Sequence, residues 1–181
     1  MPLIAGLQNR SEGTVRALLG KELMTENGLL TEQGSSTFWD RSTLYALRGI
    51  YIAGQADRAT EFLSHYARRR LLGDHVPYPI EAWPEGSQRH LAAESGLFCR
   101  VITEGLFGIR PTGFRSFDLT PSMPSGWNRM ALRHIRAFEN NFDLVIEKQP
   151  DGFLRVTLAI SGCNPRAFRL RQGVSLRIKL P

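Results

Sequence analysis

The chain has 181 residues, 42% hydrophobic and 22% charged, with a net charge of +6. That length suits one domain or two small ones with a sizeable core, and the composition is that of a soluble globular protein. Two distant cysteines and four histidines without ligand spacing give neither a disulfide framework nor a metal centre; no apolar run has membrane-spanning length, and the basic residues are dispersed, against nucleic acid as a partner.

The first ten residues lack the charged start and long apolar centre of a signal peptide, so the default location is the cytoplasm unless the N-terminus is truncated. Residues 12–24 are weakly amphipathic. Residues 41–53 carry Leu44, Leu47, Ile50 and Tyr51 at helical spacing, with Thr37 or Asp40 as cap and Gly54 as stop. A second helix follows from Asp57 as N-cap to Leu72, with Phe62, Leu63 and Tyr66 as its buried stripe. The short link between the two predicts an antiparallel hairpin. Arg68-Arg69-Arg70 falls at the helix end, where cations complement the dipole. Gly73 stops this helix, and a loop broken by Pro and Gly runs on from Pro77 to Gly86. The last helix, 89–107, starts with small residues (Ala92, Ala93, Ser95, Gly96) and turns bulky (Leu97, Phe98, Val101, Ile102, Leu106). Cys99 in that pattern reads as a buried thiol.

Beyond Gly108-Ile-Arg-Pro-Thr-Gly113 the period becomes two. Phe114, Ser116, Asp118 and Thr120 oppose Arg115, Phe117 and Leu119, and segments 130–138, 142–148, 153–160 and 174–180 continue as strands. Gln149-Pro-Asp-Gly152 is a hairpin turn. Helices followed by antiparallel strands predict an α+β fold, with residues 1–109 helical and 110–181 β.

The chemistry concentrates between Tyr78 and Glu94. Glu81 and Glu85 flank Trp83 in the loop, Arg89 and His90 follow, and Glu94 lies in the first turns of the last helix. Carboxylates serve as acid or base in sugar chemistry, and a flat aromatic stacks on a pyranose, so this loop at a helix start suits a carbohydrate site.

Two segments carry a family resemblance: Gln88-Arg-His-Leu-Ala-Ala-Glu-Ser-Gly-Leu-Phe-Cys-Arg-Val-Ile-Thr-Glu-Gly-Leu-Phe-Gly-Ile-Arg-Pro111 and Phe117-Asp-Leu-Thr-Pro-Ser-Met-Pro-Ser-Gly-Trp127. They resemble the C-terminal end of six-hairpin glycosidases, the (α/α)₆-barrel glycoside hydrolases and phosphorylases. In that family the last inner helix leads through a Gly-Ile-Arg-Pro-like turn into strands ending in Pro-x-x-Pro-x-Gly-Trp. The matching residues here are Gly108–Pro111 and Pro121–Trp127. The resemblance implies an incomplete α/α hairpin barrel, part of an (α/α)₆ toroid, followed by an antiparallel β-sandwich. Segments 41–53 and 89–107 become inner helices; 12–24 and 57–72 become outer ones. Inner-helix N-termini face the sugar, which puts Phe38–Arg41 and the 81–90 loop on one side. The implied base is Glu81, with Glu85 second and Asp40 as another carboxylate. The implied sugar contacts are Trp39, Arg41, Tyr78, Trp83, Arg89, His90 and Glu94.

The implied function is the C-terminal part of a glycoside hydrolase acting on a poly- or oligosaccharide, with no cofactor and no metal. The alternative is a non-catalytic carbohydrate-binding or structural remnant. Twelve helices of about 12 residues each, together with their connecting loops, would exceed the whole chain. The general acid is therefore expected from elsewhere, and the missing N-terminal portion or self-association is expected to cover the apolar edges. Each residue also has a plain reading. Glu81 is a loop carboxylate, Glu85 a turn residue before Gly86, and Asp40 an N-cap. Glu94 is favoured early in a helix by the dipole, and Arg41 and Arg89 form structural ion pairs. Trp39 and Trp83 are rim aromatics, His90 caps a helix, and Glu104 is structural.

Overall fold

The computed structural model describes residues 8–25, 28–30, 32–71, 82–83 and 92–181, with the backbone alone at 8, 9, 69–71, 82 and 83. The fold is α+β. Among the described residues four α-helices come first and antiparallel strands dominate the remainder. The chain divides into two compact units, Met1–Leu106 and Phe107–Pro181.

In the first unit, α1 spans Gln8–Leu18, α2 Asp40–Ile52, α3 Ala56–Leu71 and α4 Ala92–Arg100. Short strands β1 (Met24–Thr25) and β2 (Gly28–Leu29) pair with each other, and β3 (Phe38–Trp39) pairs with β4 (Ala82–Trp83). Helix α1 starts earlier and ends earlier than its pattern predicts, and β1 to β4 carry too few residues to show a period.

Helix α2 is the hub of this unit and packs against α1, α3 and α4. It buries Asp40, Thr43, Leu44, Ala46, Leu47, Gly49, Ile50 and Tyr51, a broad face that leaves Arg41, Tyr45, Arg48 and Ile52 on the remaining side. Its exposed large apolar residues, Tyr45 and Ile52, lie seven positions apart on one side. The large apolar face expected for a partial barrel is, on this helix, a narrow stripe. Helix α3, in contrast, buries Ala59, Phe62, Leu63 and Tyr66, a single amphipathic stripe. Tyr51 donates to or accepts from Thr60 at 2.8 Å, and Tyr66 stacks on Phe98 with ring centres 6.4 Å apart.

The last predicted helix changes character midway. Helix α4 gives way to a π-helical turn over Val101–Leu106. A Cβ on Gly105 would meet the Tyr51 ring at 3.1 Å and Arg48 Cα at 3.4 Å, so the glycine lets this turn lie against α2. Cys99 is exposed, contrary to the buried thiol expected. The buried positions run through Glu94, Leu97 and Val101, which leaves Cys99 facing away.

The second unit holds β5 (Ile109–Gly113), β6 (Ser116–Leu119), β7 (Arg129–Ala137), β8 (Asn140–Lys148), β9 (Leu154–Ile160), β10 (Arg166–Leu170) and β11 (Leu176–Lys179). One sheet has the order β10-β9-β8-β7 and the other β11-β6-β5, and every pair is antiparallel. Alternation sets the core: β8 buries Phe142, Leu144 and Ile146, and β9 buries Leu154, Val156, Leu158 and Ile160. Phe117 of β6 stacks on Phe142 with centres 5.9 Å apart, and on Phe138 at 5.3 Å. The β7–β8 turn has positive φ at both Phe138 and Glu139, the geometry of a tight primed hairpin without its usual glycine. Strand β10 was not expected, since its sequence Arg-Ala-Phe-Arg-Leu has little apolar alternation.

Gly108 explains the Gly-Ile-Arg-Pro turn. It adopts φ +67°, and an added Cβ would fall 2.0 Å from the Thr120 carbonyl oxygen. Its own carbonyl accepts from Thr120 N–H at 3.0 Å, so the glycine lets β5 and the end of β6 close on each other.

Candidate functional site

The sequence places its candidate chemistry at the starts of α2 and α4. The β3–β4 bridge bears on that arrangement. Trp39 pairs with Ala82 and Phe38 with Trp83. Ala82 directly follows Glu81, and Trp39 directly precedes Asp40. The backbone leading into α2 is thus hydrogen-bonded to the loop that carries the predicted base. Tyr78, Glu81, Glu85, Arg89 and His90 lie outside the described residues, and Trp83 is described by its backbone alone.

Asp40 is not an N-cap. Trp39 holds the cap position with no side-chain cap hydrogen bond, and Asp40 is the first helical residue, 1% exposed. A carboxylate there is favoured by the unpaired N–H groups of the first turn. Trp39 is 43% exposed.

Glu94 stands in the first turn of α4 with no solvent exposure. Its Oε1 accepts from Arg41 Nε at 2.6 Å. Its Oε2 is buried and has no hydrogen-bond partner among the described residues. Buried carboxylate oxygens are normally satisfied, because leaving one bare costs its lost hydration. Arg41, partly exposed, thus links the two helix starts.

An open groove of about 500 Å³ begins at Arg41 and runs along α2 and α4, lined by Arg41, Tyr45, Ala93, Gly96, Leu97 and Arg100. Ala93 and Gly96 leave it open, and Tyr45, 47% exposed, supplies a flat aromatic face. Glu104 fixes the far end. It accepts from Arg48 at 2.8 Å and from Arg100 Nη2 at 3.0 Å, as the structural role expected of it requires. The glutamate raises the Arg100 pKa by hydrogen bonding. The small residues 92–96 signalled close packing in the sequence, but Tyr45 carried no sign of this groove because its partners lie on another helix.

Among the described residues no group of three or more His, Cys, Asp and Glu side chains is placed to hold a metal, and no helix is long and apolar enough to cross a membrane. Comparison with family models, with curated proteins and with solved structures finds no match.

Proposed function

We propose that the chain is the C-terminal part of a glycoside hydrolase of the six-hairpin type, acting on a poly- or oligosaccharide and contributing a base and sugar contacts. In this reading α2 and α4 are inner helices of an incomplete hairpin barrel, α1 and α3 outer ones, and the two sheets of the second unit form a β-sandwich. The carrying observation is the β3–β4 bridge, which ties the residue before Asp40 to the residue after Glu81. Glu81 is the base. Arg41, held by Glu94, takes sugar hydroxyls, Asp40 is the second carboxylate beside the base, and Trp39, Trp83 and Tyr45 offer stacking faces. The acid comes from a part of the barrel other than these four helices. Inversion asks for carboxyl groups roughly 6.5–9.5 Å apart and retention about 5–5.5 Å.

One observation favours the non-catalytic alternative: the described carboxylates of the cluster, Asp40 and Glu94, are both closed to solvent. A single experiment separates the two readings. Glycosyl fluorides need no protonation of the leaving group, so a chain with only the base still hydrolyses them. Fluoride release from a panel of glycosyl fluorides, lost in Glu81→Gln, is the expected result. Oligosaccharide binding that weakens in Trp83→Ala, without fluoride release, establishes the binding remnant. Neither release nor binding rejects the carbohydrate reading altogether.

A further inference from the structure

The positive charge is dispersed in sequence but unevenly divided between the units. Residues 107–181 carry twelve Arg and Lys against five Asp and Glu, a net +7, which leaves −1 on the first 106 residues. Strand register then gathers part of it. Arg169 of β10 pairs with Arg155 of β9, Arg155 with Glu147 of β8, and Glu147 with Arg129 of β7. This row crosses the whole four-stranded sheet at positions that alternate with the buried ones, so it lies on the face away from the core.

The guanidiniums in the row are differently held. Arg129 reaches Glu147 at 3.4 Å, and Arg169 reaches Asp151 at 2.6 Å while lying 3.6 Å from the centre of the Phe153 ring. Arg155 makes no ion pair among the described residues, yet it stands directly opposite Arg169. Like charges opposite one another in a sheet destabilise it. An anion bound between the two reverses that cost. The next outward row is Ala131, Val145, Thr157 and Ala167, all short. It forms a shallow trough beside the cations.

We propose that this face binds a polysaccharide bearing carboxylates: Arg155 and Arg169 take a uronate carboxylate, and the trough of short side chains seats the sugar rings. A guanidinium fork matches a carboxylate bidentately. Nucleic acid fits less well. Duplex DNA presents a phosphate about every 1.7 Å of axis, a denser line of charge than this row answers, since Arg129 and Arg169 already face Glu147 and Asp151. Phe153, the ring beside this row, is covered by Arg169 and so is not open to stack on a base. A polyuronate spaces its charges by whole sugars. The choice of a sugar polymer rests on the carbohydrate reading above, although the face shares no residue with the helical cluster.

The test is affinity electrophoresis of the full chain in polygalacturonate, in its carboxyl-reduced neutral form, and with duplex DNA, at one ionic strength. The chain is expected to be retarded by polygalacturonate and not by the neutral polymer. Arg155→Gln is expected to weaken that binding about tenfold, the worth of a charged hydrogen bond. Arg115→Gln removes the same charge from an exposed pair with Glu139 elsewhere, and is expected to leave binding unchanged. The proposal is overturned by no retardation in polygalacturonate, by equal loss in both variants, or by tighter binding of DNA. Arg155→Gln is expected to keep any fluoride release that Glu81→Gln abolishes, so the two readings fail separately.

Discussion

Arg41 Nε lies 2.6 Å from Glu94 Oε1 and so joins the first turn of α2 to the first turn of α4 across 53 residues of chain. The carboxylate is fully buried and the guanidinium 42% exposed. Removing the cation strands a buried charge, while solvent around Arg41 moderates the loss. Arg41→Ala is therefore expected to destabilise the protein by about 1–3 kcal/mol, with Glu94→Gln costing less because an amide oxygen still accepts from Arg41. Urea unfolding of both variants and their double mutant measures the coupling; additive losses would mean the pair is not a working contact.

Gly105 sets the distance between the π-helical turn and α2. Alanine normally favours a helix over glycine, by about 1 kcal/mol. Here its Cβ would press on the Tyr51 ring at 3.1 Å, and that ring is fully buried and anchored through its hydroxyl to Thr60. Gly105→Ala is expected to lose about 1–3 kcal/mol despite the propensity gain. The same burial raises the Tyr51 pKa, with the Thr60 hydrogen bond opposing it. Thermal unfolding decides the sign of the change.

Gly108 is constrained on two counts, a positive φ and a backbone oxygen where a Cβ would sit. Gly108→Ala is expected to destabilise by more than about 2 kcal/mol, since both the dihedral and the overlap oppose it. Loss of slow hydrogen exchange at the Thr120 amide, which donates to Gly108, reports the opening directly. An unchanged Thr120 amide would show that the turn relaxes without cost.

Periodicity made the long elements readable. Helices α2 and α3 show spaced apolar residues, and β8 and β9 alternate cleanly, because each has one buried set and enough length to repeat it. The rest is tertiary. Two-residue strands such as β3 and β4 have no period. Cys99 looked apolar by context, yet the burial line through Glu94, Leu97 and Val101 passes it by. In the cluster, the residue types at Asp40, Arg41 and Glu94 were legible, but the Arg41–Glu94 contact and the burial of Asp40 at the first helical position depend on how α2 meets α4. The Arg110–Asp118–Arg177 row went unseen for a related reason: its three members lie on three strands whose register no local pattern sets.

That row makes the second unit acid-sensitive. Asp118 accepts from Arg110 at 2.7 Å and from Arg177 through both carboxylate oxygens. These hydrogen bonds, with Arg177 the larger contributor, lower its pKa from 3.8 to about 2. Asp143, bonded to the His134 N–H and Arg133, and Asp151, bonded to the Phe153 N–H and Arg169, are also lowered. In the window between the ordinary value and about 2, the unfolded chain binds more protons than the folded one, so folding stability is full above the window and falls as pH drops through it. Thermal melts from neutral pH down to about pH 2 are therefore expected to show the melting temperature falling below about pH 4. Asp118→Asn cannot ionise: it is expected to melt lower than wild type at neutral pH and to lose less on acidification. Parallel wild-type and Asp118→Asn curves would place the acid sensitivity on Asp143 and Asp151 instead.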